Sequence, residues 1–394
     1  MSRNSRTGRS LWLLAALLVA SSLGAAEGDY RLLPHPDGPC RSGSGCVPLI
    51  LIHGIHGSDA NGPCGLDSST VTDCNWGPLF AYLSQRNPSL WRRLRVYVFR
   101  YLADRDDSFI EMGRRLRSLT DRERVNWNQP VIVVAQSMGG LVARAFLASW
   151  PHPMLPRGLH LTGTVITLAT PHHGTPLANR LLRNRLAEDN TGSPASQLDL
   201  FDFLYWSWSS SPQLASNAEE PSRSDLLWDE YDGLFDGPRQ DPNLASIEVN
   251  RSLAQLRATP GDGMKLIVYG GYMPFDGMED GPIGYAAPPD QAPRQADGVG
   301  QLLGTAGRLL RQRLGKPWND GFVPLDSALF SGNPYVVRRR VFIGYDHQDM
   351  MGNRSRVEHG VDLQAALLER LALDIAAAAE VRSSRFPALR PESW

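Results

Sequence analysis

Short apolar runs recur along this chain, and between several of them apolar residues return on a helical period. Residues 47–52, 95–101, 131–136, 163–169 and 264–270 are rich in Val, Ile, Leu and aromatic side chains. Val131, Ile132, Val133 and Val134 are four consecutive β-branched residues. Runs of that length and kind predict strands buried on both faces. A helical stretch around residues 109–119 follows the second run, and residues 141–147 predict a helix directly after the third. Strands alternating with helices predict a mostly parallel sheet covered on both sides. The alternation breaks from about residue 177 to 263, where Phe201, Phe203, Tyr205, Trp206 and Trp208 cluster. Residues 274–293 are rich in Pro, Gly and Asp and predict a surface excursion. Residues 340–344 predict a last strand, and residues 361–379 a terminal packing helix.

This pattern divides the chain into a leader over residues 1–26 and one α/β domain over residues 27–394. Its core spans about 47–178 and 264–380. An insertion without that alternation occupies about 179–262, and the surface excursion extends over about 273–318.

The leader carries Arg3, Arg6 and Arg9, an apolar run over residues 11–23, and then Gly24-Ala25-Ala26-Glu27. That is the three-part pattern of a secretory signal peptide cleaved after Ala26, and the run is shorter than the roughly 20 residues a spanning helix needs. The expected location is secreted or periplasmic. A formal net charge of −1 supplies no electrostatic reason to expect nucleic acid as a partner.

Export bears on the cysteines. Cys40, Cys46, Cys64 and Cys74 allow three connectivities, and proximity favours Cys40–Cys46 with Cys64–Cys74. Their spacings are not the close pairs of a zinc site.

The chemistry centres on Ser137. It stands on the tight turn between the Val131 strand and its helix, where a serine is held in a strained conformation above the sheet. Helix and strand must pass close together there, and the positions two before and two after are small, Ala135 and Gly139. A serine hydroxyl needs a base to take its proton and a third group to orient that base. His347 follows the last strand at once and is the candidate base. Asp320, in Asn319-Asp320-Gly321, is the candidate acid, with Asp297 and Asp326 as rivals. The backbone N–H groups of Met138 and Ile55 are the candidate donors to a developing oxyanion. His53 reads as a residue that holds its own loop by bonding backbone. His172 and His173 read as loop-orienting and cleft-lining residues, since adjacent side chains diverge too far to make a metal pair. No metal and no cofactor is expected.

Taken together, His53-Gly54-Ile55-His56-Gly57, Ala135-Gln136-Ser137-Met138-Gly139-Gly140, residues 168–175, Asn319-Asp320-Gly321 and His347 resemble the lipase branch of the α/β-hydrolase superfamily. Residues 168–175 are similar to a segment of secreted bacterial triacylglycerol lipases and of GPI-inositol deacylase and lecithin–cholesterol acyltransferase relatives. The resemblance covers roughly residues 47–176 and 264–379. It implies an α/β-hydrolase fold with an inserted cap or lid, and an exported serine hydrolase that cleaves lipid-like carboxylic esters through an acyl-serine. An acyltransferase using the same acyl-enzyme is the alternative, followed by an inactive binding protein on the same scaffold. Ala135 stands where glycine is commoner and Gln136 where histidine is frequent. Asp349 and Asn353 occupy the spacings of a calcium site found in some of these lipases, but its first ligand has no match here.

The resemblance also places the insertion over the cleft. If residues 198–208 are helical, Leu198, Phe201, Leu204, Tyr205 and Trp208 share one face while Phe203 and Trp206 lie on the other. A helix apolar nearly all round predicts a cap whose Phe201, Leu204, Tyr205, Trp206 and Trp208 line the acyl site or meet lipid or a hydrophobic partner. The competing expectation is a permanently docked cap.

Overall fold

The computed structural model describes residues 30–35, 38, 40, 45–54, 75–101, 108–123, 125, 129–148, 163–176, 253, 256, 264–273, 303–304, 306–308, 310–311, 316, 318–352, 354–358 and 360–380. The expected signal peptide, Ile55, the Cys64–Cys74 pair, Asp297, Asn353 and the aromatic cluster of the cap lie outside these residues.

Seven strands form one sheet: β1 (Tyr30–Pro34), β2 (Val47–Ile52), β3 (Leu94–Tyr101), β4 (Val131–Gln136), β5 (Gly163–Leu168), β6 (Met264–Tyr272) and β7 (Val336–Ile343). Their order is β1-β3-β2-β4-β5-β6-β7. Every neighbouring pair is parallel except β1 with β3. The expected mostly parallel sheet is therefore present, with β4 at its centre.

Alternate residues of the central strands feed two separate cores. Ile50, Ile52, Val131, Val133 and Ala135 pack with α3 (Phe109–Arg122) and α4 (Gly139–Ala148) on one face. Leu49, Leu51, Ile132, Val134 and Ile166 pack on the other face with α1 (Gly77–Arg86) and the C-terminal helix Leu363–Glu380. Strands covered on both sides need apolar residues at every position, which is why these segments read as continuous apolar runs. Each fully buried Leu or Ile contributes about 1.5–3 kcal/mol. α3 begins where Ser108 Oγ accepts the Glu111 N–H at 3.3 Å. Its Gly113 admits α4 closely, since a Cβ there would sit 2.5 Å from the Phe146 nitrogen.

Other helices are short: α2 (Pro88–Trp91) precedes β3, and α5 (Leu325–Ala328) precedes β7. A 3-10 turn (Asp349–Met351) and a hairpin, β8 (Val357–Glu358) with β9 (Val361–Asp362), lead to the last helix, α6 (Leu363–Glu380). Among the described residues no helix is long and apolar enough to cross a membrane. Cys40 and Cys46 form a disulfide, the first of the two expected pairs, and close the loop between β1 and β2.

Several boundaries differ from the sequence reading. β1 had no counterpart there, because a short antiparallel edge strand ending in proline carries little apolar signal. β7 begins at Val336 rather than residue 340, since Arg338, Arg339 and Arg340 interrupt its apolar pattern. Arg338 and Arg340 bond the Asp374 carboxylate of α6 at 2.8 and 2.6 Å, and the Tyr269 hydroxyl donates to it at 2.6 Å. Burial works to raise the Asp374 carboxyl, but the bonds from Arg340, Tyr269 and Arg338 hold it below the usual range. The terminal helix starts at Leu363 because Val361 and Asp362 pair with β8. Leu303, Ala306 and Leu310, in the last part of the stretch expected as a surface excursion, are buried in the α3/α4 core. Leu253 and Leu256, near the end of the expected cap, are buried in that core too.

Candidate active site

Ser137 follows β4 with φ at 49°, a left-handed conformation that a non-glycine residue adopts only when its surroundings impose it. Two features do so here. The Ser137 N–H is held by the Leu168 carbonyl at 2.8 Å, which pins the turn to the end of β5. Behind the serine, α4 starts against neighbouring loops with no room for side chains. A Cβ at Gly139 would sit 2.3 Å from the His53 carbonyl oxygen, and one at Gly140 would sit 2.0 Å from Thr170 Oγ1. The small residue expected at position 139 is thus a packing necessity.

The loops after β4, β6 and β7 bring the three sequence candidates into one line. His347 Nε2 lies 3.0 Å from Ser137 Oγ, and His347 Nδ1 lies 2.7 Å from Asp320 Oδ2. The other carboxylate oxygen of Asp320 accepts the N–H groups of Phe322 and Val323 at 2.9 and 2.6 Å. This turn requires Gly321, whose φ is +92° and which packs against the Leu303 backbone. Asn319 braces it from the other side, donating to the Gly307 and Lys316 carbonyls and accepting the Gly321 N–H. Asp320 is fully buried, and Ser137 is 6% exposed. The rival Asp326 instead pairs with Lys316 at 3.0 Å.

On the far side of Ser137, Gly54 lies so close that a Cβ there would meet the serine Cβ at 3.1 Å. His53 sets this approach. Its ring stacks on Tyr101 with centroids 4.1 Å apart, Nδ1 lies 2.6 Å from the Gly54 carbonyl, and Nε2 faces the Tyr101 N–H at 3.4 Å. A carbonyl only accepts and an N–H only donates, so the imidazole is neutral with its proton on Nδ1. Burial, assisted by the Arg100 charge, pushes this histidine down to about 4, against the opposing backbone bonds. Met138, the candidate donor, is buried at the start of α4, where first-turn N–H groups have no partner within the helix.

His172 and His173 are both buried and do not meet on a common point. His172 Nε2 contacts Thr167 Oγ1 at 3.0 Å and its ring stacks on Phe330 at 4.5 Å. The His173 N–H donates to Ser327 Oγ. Thr175 Oγ1 donates to the Phe322 carbonyl at 2.6 Å, so this segment buttresses the Asp320 loop. Burial, with the charge of Arg144, holds His172 well below its ordinary range. Among the described residues no group of three or more His, Cys, Asp or Glu is placed to hold a metal ion.

Sequence reasoning missed the support behind His347. Asp346 and Asp349, on either side of it, each accept the other's backbone N–H, at 3.0 and 2.9 Å. Arg354 contacts Asp346 at 3.0 Å, and Arg356 contacts Asp349 at 2.8 Å. Asp349 therefore faces Arg356. Burial, and then the like charge of Asp346, raise its carboxyl against the pull of both arginines. Also missed was Gln136, whose side-chain amide donates to the Met351 carbonyl. The clustering of Asp346, Asp349, Arg354 and Arg356 just after the last strand was the available signal.

No protein-family model and no curated relative matches the chain. Solved structures do. The mature lipase BlEst2 of Bacillus licheniformis aligns over 88% of this chain and 98% of its own, at 16% identity and a TM-score of 0.45. EstA from Clostridium botulinum aligns over 84% and 87%, at 14% identity and 0.44. A metagenomic carboxyl esterase aligns over 85% and 77%, at 12% identity and 0.43. The strand order, with its antiparallel first strand and the candidate site at the carboxyl ends of β4, β6 and β7, is that of an α/β-hydrolase fold, and the solved structures it is similar to include a lipase and a carboxyl esterase.

Proposed function

We propose that this protein is an exported serine ester hydrolase that cleaves lipid-like carboxylic esters, with Ser137 as nucleophile, His347 as base and Asp320 as the orienting acid. The observation that carries the reading is the unbroken contact from Ser137 Oγ through the two ring nitrogens of His347 to Asp320, at 3.0 and 2.7 Å. An Asp320 oxygen beside Nδ1 accepts a hydrogen bond from the Nδ1–H, which holds the proton on Nδ1 and leaves Nε2 free to accept one. Nε2 then removes the Ser137 proton as Oγ bonds to the ester carbonyl carbon. The carbonyl oxygen becomes an oxyanion, stabilised by the Met138 and Ile55 N–H groups. His347 returns the proton to the departing alkoxide as the C–O bond breaks, leaving alcohol and acyl-serine. Water attacks the acyl carbon while His347 takes its proton, and collapse gives the carboxylic acid and restores Ser137.

The Cys40–Cys46 disulfide supports export, because such bonds persist in oxidising compartments. Residues 179–262 are proposed as the cap over the acyl site, with Phe201, Leu204, Tyr205, Trp206 and Trp208 toward substrate or lipid.

The test is labelling with a fluorophosphonate, followed by peptide mapping and a chain-length series of nitrophenyl esters. The adduct should fall on Ser137, and Ser137→Ala should reduce ester turnover by at least about a thousandfold with the fold intact. An adduct elsewhere, or near-normal turnover in that variant, removes the mechanism.

A further inference from the structure

We infer that Gln136 is a positioning residue that sets the reach between Ser137 and His347 by tying the nucleophile strand to the histidine segment. The inference rests on the Ser-His-Asp reading above and concerns how that constellation is held.

Gln136 is the last residue of β4 and directly precedes Ser137. Its side chain is buried at 2% exposure and donates its amide to the Met351 carbonyl, 215 residues further along the chain. Met351 closes the 3-10 turn that begins two residues after His347. That turn is braced as one piece. The Met350 N–H bonds the Asp346 carbonyl and the Met351 N–H bonds the Gln348 carbonyl, both at 3.1 Å. Asp346 and Asp349 cap each other, with Arg354 on the outer oxygen of Asp346 and Arg356 on the capping oxygen of Asp349. A grip on Met351 is therefore transmitted to His347.

Another grip on this segment, the His347 N–H on the Asp320 carbonyl at 2.8 Å, sets the imidazole against the acid and not against the serine. The Gln136 amide supplies the second constraint, from the serine's own strand. The chemistry of the side chain fits this use. A carbonyl needs a donor, so glutamate would oppose it with acceptor oxygens, and an apolar side chain would take this donor from the part-buried carbonyl. Reacting groups displaced by about 1 Å lose on the order of a hundredfold in rate, so a tie at this point acts on turnover with little effect on substrate binding.

The experiment compares the full chain with Gln136→Met, Gln136→Glu, Gln136→His and Ser137→Ala, using a short nitrophenyl ester, fluorophosphonate inactivation and thermal melting. Gln136→Met, of similar length but without a donor, should lower kcat by about 10- to 100-fold with KM within about twofold. The phosphonylation rate should fall by the same factor. Gln136→Glu should be at least as damaging, and Gln136→His, whose ring N–H can donate, should recover a substantial part of the loss. Gln136→Met with wild-type kcat and phosphonylation rate, whatever its melting temperature, would overturn the inference. So would a loss confined to KM, or the failure of all three Gln136 variants to fold, since the bond would then be structural only. If Ser137→Ala keeps its turnover, the triad reading itself is wrong. If Ser137→Ala is inactive while Gln136→Met matches wild type, only the role of Gln136 falls.

Discussion

Asp320 holds His347 at two points, through its carboxylate to the ring Nδ1 at 2.7 Å and through its own carbonyl to the His347 backbone N–H at 2.8 Å. The two bonds separate function from placement. Asp320→Asn keeps the backbone bond and replaces an acceptor beside Nδ1 with an amide that can turn its NH₂ toward the ring, which favours the wrong tautomer. On this basis kcat should fall by about 10²- to 10⁴-fold while the melting temperature changes little. Asp326→Asn removes only the Lys316 pair and should leave kcat within about twofold. Steady-state kinetics on both variants decide the assignment, and a larger loss in Asp326→Asn would reverse it.

His53 makes stability depend on pH in a definite direction. Its pKa in the fold is about 4, below the ordinary 6.5, because it is buried neutral. As pH falls below 6.5 the unfolded chain gains a proton that the folded chain refuses until about pH 4. The stabilisation from the neutral ring is thus present above 6.5 and is lost on descending to 4. His53→Gln has no such group. The stability gap between wild type and His53→Gln, from urea unfolding, should narrow by about 2–3 kcal/mol between pH 7.5 and 4.5. A gap that stays constant or widens on acidification would show that His53 is not neutral in the fold.

The disulfide offers a test that does not involve the reaction. Cys40 and Cys46 are 6 residues apart and close a short loop before β2. Loop-closure entropy on that scale stabilises by about 2 kcal/mol. A Cys40→Ala/Cys46→Ala double variant should shift the urea midpoint down by the corresponding amount and leave kcat on a soluble ester close to wild type, since β2 delivers Gly54 to the site through contacts of its own. Loss of activity at preserved stability would mean that the loop takes part in the site.

The proposed cap makes a substrate-dependent prediction. Trp206→Ser/Trp208→Ser should reduce hydrolysis of long-chain or emulsified esters by tenfold or more and leave a short soluble ester nearly untouched, if these rings meet acyl chain or lipid. Equal losses on both substrates would favour a permanently docked cap, and no loss on either would remove the segment from the site.

The features legible in the amino-acid sequence are local. Buried parallel strands need apolar residues on both faces, so β2, β3, β4 and β5 were legible as runs, and their alternation with helices implied the parallel sheet. The turn at Ser137 was legible because close approach demands small neighbours at Ala135 and Gly139, a requirement written in adjacent residues. Asp320 and His347 were legible from their order after the strands, and the contact between them is a property of the fold. What escaped was set by partners distant in the chain. β1 exists because β3 offers it an edge, and Arg338 and Arg340 belong to a strand because Asp374 on α6 receives them. Gln136 looked like an ordinary departure from a motif until the fold placed Met351 opposite its amide. A polar side chain becomes structural only when burial removes water as its alternative partner. Which polar groups are buried together is decided by the tertiary fold, and no pattern of neighbouring residues records it.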